Sequence, residues 1–369
     1  MPKVKDESSE KAAIGSGQGT GEPVSPARVD PNGTPRPRLV VVLGMHRSGT
    51  SLCAHVLNAL GVNMADEPVA TPSNPKGHWE RLEIVALHDR ILDLFNRGYF
   101  DPLHDLPLAQ GWWDDPRVAA IKRDIVAFFK PRLVPGMSIG FKDPRTARLL
   151  RLWQEILTEL NVEVKFILCL RNPAEVARSL NHRDGLPLDM GEYRWFIYIA
   201  EIFDRLRDAE LCTIEYEQWF DGKGENAAKL IRFLDLDTGK SLAAIAGSLS
   251  DIVDERLSHA GPAPRQPDLP LVRDLYEAVR GFGADPVARA KTVRIVDQFR
   301  AFQQLYEPMT REFEVLSQAV VLEPARSWKE RAPLRQMAAV IQFALRWRRS
   351  RSAASGRRRS TIGSDSGNR

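Results

Sequence analysis

Apolar residues occur along the chain in short runs, separated by longer segments with apolar positions every three or four residues. Short apolar runs are typical of buried strands, and the longer spacing is typical of amphipathic helices. The pattern predicts four strands, which are Leu39 to Leu43, Met137 to Phe141, Val162 to Leu170 and Leu211 to Ile214. It predicts helices at Ser51 to Leu60, Ile84 to Leu94, Arg117 to Phe129, Thr146 to Leu160, from Pro173 onwards, Tyr193 to Arg207 and Ala227 to Leu234. This alternation predicts an α/β fold whose mostly parallel sheet is flanked by helices, with a topology like that of P-loop nucleoside triphosphatases.

The first predicted strand continues into GMHRSGTS, residues 44 to 51, and then into a helix. Glycines in this segment allow a sharp turn. Main-chain N–H groups of such a loop and of the first helical turn converge on one point, and the helix dipole adds positive potential there. The segment therefore predicts an anion-binding site rather than a turn that binds nothing.

The spacing resembles the triphosphatase loop G-x-x-x-x-G-K-[ST], with one exchange. Gly44 and Gly49 occupy the glycine positions and Ser51 the hydroxyl position, but Thr50 replaces the lysine. The cation is Arg47, inside the loop, where its planar guanidinium suits two oxygens of a phosphate or sulfate. This exchange argues against a kinase or ATPase and for another phosphate-containing donor.

Basic residues follow two further predicted strands. Lys142, Asp143 and Arg145 come after the second strand, and Arg171 follows the third, where an ATPase would offer an aspartate for magnesium. Ligands collect at the carboxyl ends of strands in such sheets, so these cations are expected to face the same crevice. Ser179, two helical turns after Arg171, is expected to share one phosphate with it. An ordinary surface pair of Lys142 and Asp143 is the open alternative.

Glu80 ends a loop rich in Pro, Gly and Asn, just before a predicted helix. A glutamate in the first turn of a helix is a common partner of the helix dipole, and spacing alone slightly favours this interpretation. The alternative is a carboxylate that folds back over the donor bound at the glycine loop.

Composition limits the class of protein. The chain has 369 residues, of which 43% are apolar, enough for one large α/β domain or two modest ones. Cys53, Cys169 and Cys212 have apolar neighbours and no metal-like spacing, so we expect reduced thiols, no metal site and a cytoplasmic protein. No apolar run is long enough for a membrane span, and the first forty residues lack the apolar core of a signal peptide.

The formal charge of +4 is concentrated at one end. Residues 346 to 369 contain eight arginines and one aspartate, a local +7, so the remaining residues carry a net −3. We therefore expect no nucleic-acid partner. Residues 334 to 347 predict an amphipathic helix that either docks on its own domain or makes weak contact with an anionic membrane surface, so peripheral membrane association stays open.

These patterns divide the chain into four parts. Residues 1 to 37 are expected to be a disordered leader, because they contain too few apolar residues to offset the entropy of ordering. Residues 38 to 261 form the predicted α/β domain, 262 to 330 a helical extension, and 331 to 369 the amphipathic helix and a basic disordered tail.

Three segments, GMHRSGTS at 44 to 51, FKDPR at 141 to 145 and LRNPAEVARS at 170 to 179, together resemble the sulfotransferase family, above all its bacterial carbohydrate-type members. The resemblance covers Arg38 to Gly261 and implies the co-substrate 3′-phosphoadenosine 5′-phosphosulfate (PAPS). It implies that the 5′-phosphosulfate is held by loop residues, which are His46, Arg47, Ser48, Gly49, Thr50 and Ser51. Arg171 and Ser179 match the pair that holds the 3′-phosphate.

The resemblance also implies catalytic roles. Glu80 would take the proton from an acceptor hydroxyl, and Arg47 and Lys142 would stabilise developing charge. Weaker candidates for the base are Asp143, His46 and His78. The expected activity is sulfuryl transfer to a hydroxyl, on a glycan or glycolipid, without a metal. The alternatives are a P-loop nucleotide kinase and a non-catalytic scaffold with the sulfotransferase fold.

Overall fold

The computed structural model of the protein describes residues 36–65, 70, 76–101, 103–221, 224–239, 241–249, 251–253 and 265–322. The predictions for the leader up to residue 35 and for residues 331 to 369 lie outside the described residues. Among the described residues, no helix is both long and apolar enough to cross a membrane.

In the described part of the chain, four parallel strands form one sheet in the order β2-β1-β3-β4. Their bounds are Arg38–Leu43 for β1, Ser138–Lys142 for β2, Glu163–Leu170 for β3 and Leu211–Glu215 for β4. All four predicted strands are confirmed to within one residue at each end. Val42 near the end of β1 pairs with Lys142 on one side and Ile167 on the other, so the carboxyl ends of three strands lie side by side.

Helices cover both faces of this sheet, as the α/β prediction requires. Their bounds are α1 Thr50–Ala59, α2 Leu82–Asp93, α3 Pro116–Phe129, α4 Leu150–Leu160, α5 Pro173–Asp184, α6 Leu188–Leu206, α7 Gln218–Asp221, α8 Glu225–Leu234, α9 Leu242–Leu249, α10 Pro270–Gly281 and α11 Pro286–Leu322. Side chains of β1 alternate between two cores: Leu39 and Val41 join the core with α2 to α6, and Val40 and Val42 join the core with α1 and α8. Because β1 is buried on both faces, its sequence is continuously apolar.

Two predicted helix starts are wrong. The helix predicted from Thr146 begins as a 3₁₀ turn over Pro144–Leu149, and α4 starts only at Leu150. Proline at the first position of this turn and the side chain of Asp143, which accepts the N–H of Arg145, start it early.

The second wrong start is that of α6, which begins at Leu188, five residues before the predicted Tyr193. Gly191 lies in the added turn, where a Cβ would be 2.8 Å from Cα of Ala177. Glycine therefore lets α6 approach α5 closely here. Its low helix propensity is the reason why the sequence pattern did not predict a helix at this position.

The predicted helical extension packs on the sheet domain through aromatic contacts with α6. Phe203 contacts Phe282 with ring centroids 4.5 Å apart, and Phe196 contacts Phe299 at 5.0 Å. The hydrophobic face of α10 joins the same core as α6. Within the described residues, the contacts divide the chain into two units between Thr310 and Arg311.

We expect Phe141→Ala to lower the free energy of unfolding by about 3–5 kcal/mol, because it leaves a cavity in the core. Phe141 is fully buried, and its ring stacks on that of Trp153 with centroids 4.4 Å apart. Urea denaturation measures the change. Met137→Ala is the control, since Met137 is 59% exposed and its replacement should change stability little. Equal midpoints for the two variants would contradict this packing.

Candidate functional site

A cavity of about 680 Å³ lies at the carboxyl edge of the sheet. Its walls come from the loop after β1, the start of α1, the segment before α2 and the ends of β2 and β3, which is where parallel sheets bind ligands. Of the predicted site residues, those that line it are His46, Arg47, Gly49, Thr50, Ser51, Glu80, Lys142 and Arg171. Ser48 and Ser179 are not among the lining residues, and the Ser48 side chain is buried.

The loop after β1 has the left-handed backbone that the glycine positions predict. Gly44 has φ 140°, Gly49 has φ 83°, and Arg47 between them has φ 69°. Gly49 is the N-cap of α1 and offers no side chain to the first N–H groups of the helix. These N–H groups therefore remain available to an anion at the cavity floor.

Arg47 joins the two segments predicted to bind the two ends of the donor. Its Nε donates to Ser179 Oγ at 2.8 Å, and Nη1 of Arg171 donates to the Arg47 carbonyl oxygen at 2.9 Å. Arg171 and Ser179 thus both contact Arg47, one at its main chain and the other at its side chain. The Arg171 guanidinium also lies 4.3 Å from the ring centroid of Tyr216.

Positive charge accumulates around this loop. Burial lowers the pKa of Arg47, and the nearby guanidiniums of Arg183 and Arg171 lower it further. Arginine keeps its charge even so, because its ordinary pKa is far above neutrality. Mutual repulsion of these cations is relieved when an anion binds between them.

Lys142 links the start of α1 to Glu80. Its buried Nζ lies 2.6 Å from Glu80 Oε1 and 3.2 Å from Ser51 Oγ. The neighbouring Arg81 holds Glu80 in place, because its Nε donates to the Gly140 carbonyl of β2 at 2.9 Å. Glu80 precedes α2 and pairs with Lys142, so the interpretation as a first-turn partner of the helix dipole is wrong.

Asp143 lies beneath the cavity rather than in it. Its carboxylate accepts the Nδ1–H of His88 at 2.8 Å and an N–H of Arg145 at 3.0 Å, while His88 Nε2 accepts from Trp153 Nε1. Burial alone would raise the pKa of Asp143, but Arg145 and His88 outweigh it and lower the pKa. The surface-pair alternative for Lys142 and Asp143 is therefore wrong, since both are buried.

His46 and His78 both line the cavity. The ring of His46 meets Tyr99 edge-on with centroids 4.9 Å apart, and its buried Nε2 has no hydrogen-bond partner among the described residues. Burial and the charge of Arg145 lower the pKa of His46 well below its ordinary value, so its imidazole is neutral at pH 7. Burial also lowers the pKa of His78.

Sequence patterns did not identify several residues of the cavity, which are Tyr99, Phe100, Arg183, Asp184 and Tyr216. The position of Tyr216 directly after β4 is a signal that strand-end reasoning could have used. The other four have no local signal, because they come from a connector and from the end of α5 and meet only through the fold. In the described ranges, no cluster of three or more His, Cys, Asp or Glu side chains is suited to a metal.

Fold and cavity together define an α/β protein with a strand–loop–helix segment at the cavity, a candidate anion site. The chain matches no protein-family model and no curated protein sequence. Solved structures similar to it include the sulfotransferase domain of the olefin synthase from Synechococcus PCC 7002, with 17% identity and a TM-score of 0.36, over 76% of this chain and 98% of that domain. Identity and TM-score at this level do not assign the chain to a family.

We expect Gly49→Ala to destabilise the protein more than Gly111→Ala does. Both glycines have φ near 80°, so each alanine costs about 1–2 kcal/mol of backbone strain. A Cβ at Gly49 would also overlap the Tyr216 ring, whereas nothing lies within 4 Å of one at Gly111. Overpacking adds about 1–3 kcal/mol at Gly49 only. Equal losses of unfolding free energy in urea would contradict this contact.

Proposed function

We propose that the protein transfers a sulfuryl group from PAPS to a hydroxyl of a glycan or glycolipid. One observation carries this proposal: Arg47, Lys142 and Arg171 line the same cavity as Glu80, on a strand–loop–helix anion site. Three cations suit a donor with several negative groups, and one carboxylate suits an acceptor that must lose a proton.

The donor is proposed to bind across the loop. Its 5′-phosphosulfate takes the N–H groups at the start of α1 and the guanidinium of Arg47, and its 3′-phosphate takes Arg171 and Ser179. Support comes from the contacts of Arg47 with both Arg171 and Ser179, which hold the two proposed anion sites next to each other.

The proposed chemistry is an in-line displacement at sulfur. The acceptor oxygen forms a bond to sulfur while the bond from sulfur to the bridging phosphate oxygen breaks, and the departing adenosine 3′,5′-bisphosphate keeps that electron pair. Glu80 accepts the hydroxyl proton as the new bond forms. Lys142 would stabilise charge on the sulfuryl group and the leaving phosphate, a role supported by its contacts with both Glu80 and Ser51.

The free cysteines of the protein suit a reducing compartment. Cys53, Cys169 and Cys212 are all free, and two of them are buried. We therefore propose a cytoplasmic reaction, in keeping with the low frequency of disulfides there.

The base assignment predicts that Glu80→Gln lowers the turnover rate about 10²- to 10⁴-fold, because an amide cannot accept the proton. The Kd for adenosine 3′,5′-bisphosphate should stay within a few-fold, since the donor does not need the carboxylate. Transfer of labelled sulfate from PAPS and calorimetry measure the two quantities. Glu83→Gln is the matched control, because Glu83 is exposed on α2. Near-normal turnover in Glu80→Gln would exclude Glu80 as the base.

Thermal unfolding with two nucleotides tests which class of donor the protein binds. We expect adenosine 3′,5′-bisphosphate to raise the midpoint more than ATP with magnesium does, because Thr50 replaces the lysine of the triphosphatase loop. Arg47→Ala and Arg171→Ala should each reduce this shift, whereas Arg178→Ala, an exposed arginine on α5, should not.

This experiment, together with a transfer assay, separates the rival functions. A larger shift with ATP and magnesium would favour a nucleotide kinase. Binding of the bisphosphate without transfer to any member of a broad glycan panel would favour a non-catalytic scaffold.

A further inference from the structure

Part of the cavity wall lies outside the loop and helix that are proposed to hold the donor. Tyr216 packs against Gly49 and Arg171, on the proposed donor side. Tyr99 packs edge-on against His46 at the end of that loop, and Tyr99, Phe100 and Asp184 line the same cavity as Glu80. This part of the wall is therefore available to the acceptor.

Tyr99 is fixed in a rigid network. Guanidiniums of Arg183 and Arg194 lie 5.4 and 5.3 Å from its ring centroid. Its hydroxyl donates to Asp184 Oδ2 at 2.7 Å and accepts from Arg183 Nη2. Arg194 is itself held by two hydrogen bonds of 2.7 Å to Asp105. A ring held by this many contacts is pre-organised for binding.

Phe100 stands beside this network with its ring in solvent. It lines the cavity, is 89% exposed, and meets Tyr99 edge-on with centroids 5.0 Å apart. Covering a phenylalanine ring removes apolar surface from water and stabilises a complex. The rim of the cavity thus offers a flat apolar surface to a ligand.

Asp184 and Arg183, which contact the Tyr99 hydroxyl, have unused hydrogen-bonding capacity. Asp184 accepts from Arg183 Nε at Oδ1, and from Tyr99 and Arg183 Nη2 at Oδ2. A carboxylate has about four acceptor positions, so one remains on Oδ1. Nη1 of Arg183 has no partner among the described residues, so both of its N–H groups remain for a ligand.

We infer that this wall, formed by Tyr99, Phe100, Arg183 and Asp184, is a saccharide subsite in which Phe100 stacks on a sugar ring. A pyranose has a face of C–H groups and a rim of hydroxyls, so one ligand satisfies both the apolar ring and the adjacent donor and acceptor groups. A phenol or an acyl chain would cover Phe100 but would make no use of the free positions of Asp184 and Arg183, which are exposed and open to a sugar hydroxyl. This inference rests on the proposed function, because it identifies where the acceptor of that reaction binds.

Binding to a broad glycan array tests the subsite. The full chain, fluorescently labelled, is applied as wild type and as Phe100→Ala, Phe100→Trp and Phe302→Ala. We expect wild type to bind a defined set of glycans, Phe100→Ala to weaken this binding about tenfold, and Phe100→Trp to retain it. Phe302→Ala is the matched control, because Phe302 is 52% exposed but does not line the cavity.

Glycan binding that Phe100→Ala leaves unchanged, or wild type that binds no glycan, would overturn the inference. Calorimetry with adenosine 3′,5′-bisphosphate on the same preparations keeps the two proposals apart. Absence of bisphosphate binding would refute the proposal that PAPS is the donor, whatever the array shows. Bisphosphate binding without glycan binding would refute the saccharide subsite alone. Because Phe100 is exposed, its variants are expected to keep the wild-type unfolding midpoint, which thermal denaturation checks.

Discussion

Arg47 is held in a left-handed backbone conformation by contacts at both ends of the residue. For a residue other than glycine this conformation costs about 1–2 kcal/mol. Arg171 binds its carbonyl oxygen and Ser179 binds its Nε, so the end of β3 and helix α5 keep the loop after β1 in shape. Without these two contacts, the strain at φ 69° would favour another conformation of the loop. The geometry of the proposed anion site therefore depends on this link.

Buried charges and hydrogen bonds support the turn after β2. The buried Asp143 pairs with Arg145 and receives the Nδ1–H of His88, and the partly exposed Asp89 also pairs with Arg145. Removing Arg145 would leave the buried charge of Asp143 uncompensated, which costs about 3–5 kcal/mol. The turn after β2 is rigid for this reason, and its rigidity fixes Lys142 against Glu80.

The strands and the convergence of Arg47, Lys142 and Arg171 were predictable from the sequence. A strand buried on both faces must be apolar throughout, and the carboxyl ends of parallel strands must meet at one edge. The early start of α6 was not predictable. Glycine disfavours a helix, and the close approach to Ala177 that requires Gly191 is known only from the fold. The network of Tyr99 was not predictable either, because its hydroxyl partners Arg183 and Asp184 are more than eighty residues away in the chain and meet it only through tertiary packing.

For the candidate site, the sequence predicted which residues take part better than it predicted the contacts between them. The sequence predicted that Arg171 and Ser179 share a phosphate, but it could not show that Arg47 contacts both of them. Glu80 was ambiguous until its distance of 2.6 Å from Lys142 placed it at the cavity. Side-chain partners separated by sixty residues or more follow from the fold, and local patterns do not encode them.

A crystal structure with adenosine 3′,5′-bisphosphate tests the central claim most directly. We expect the 5′-phosphate to lie on the N–H groups at the start of α1 beside Arg47, and the 3′-phosphate to lie on Arg171 and Ser179. A nucleotide bound in the reverse orientation, or outside the cavity, would contradict it.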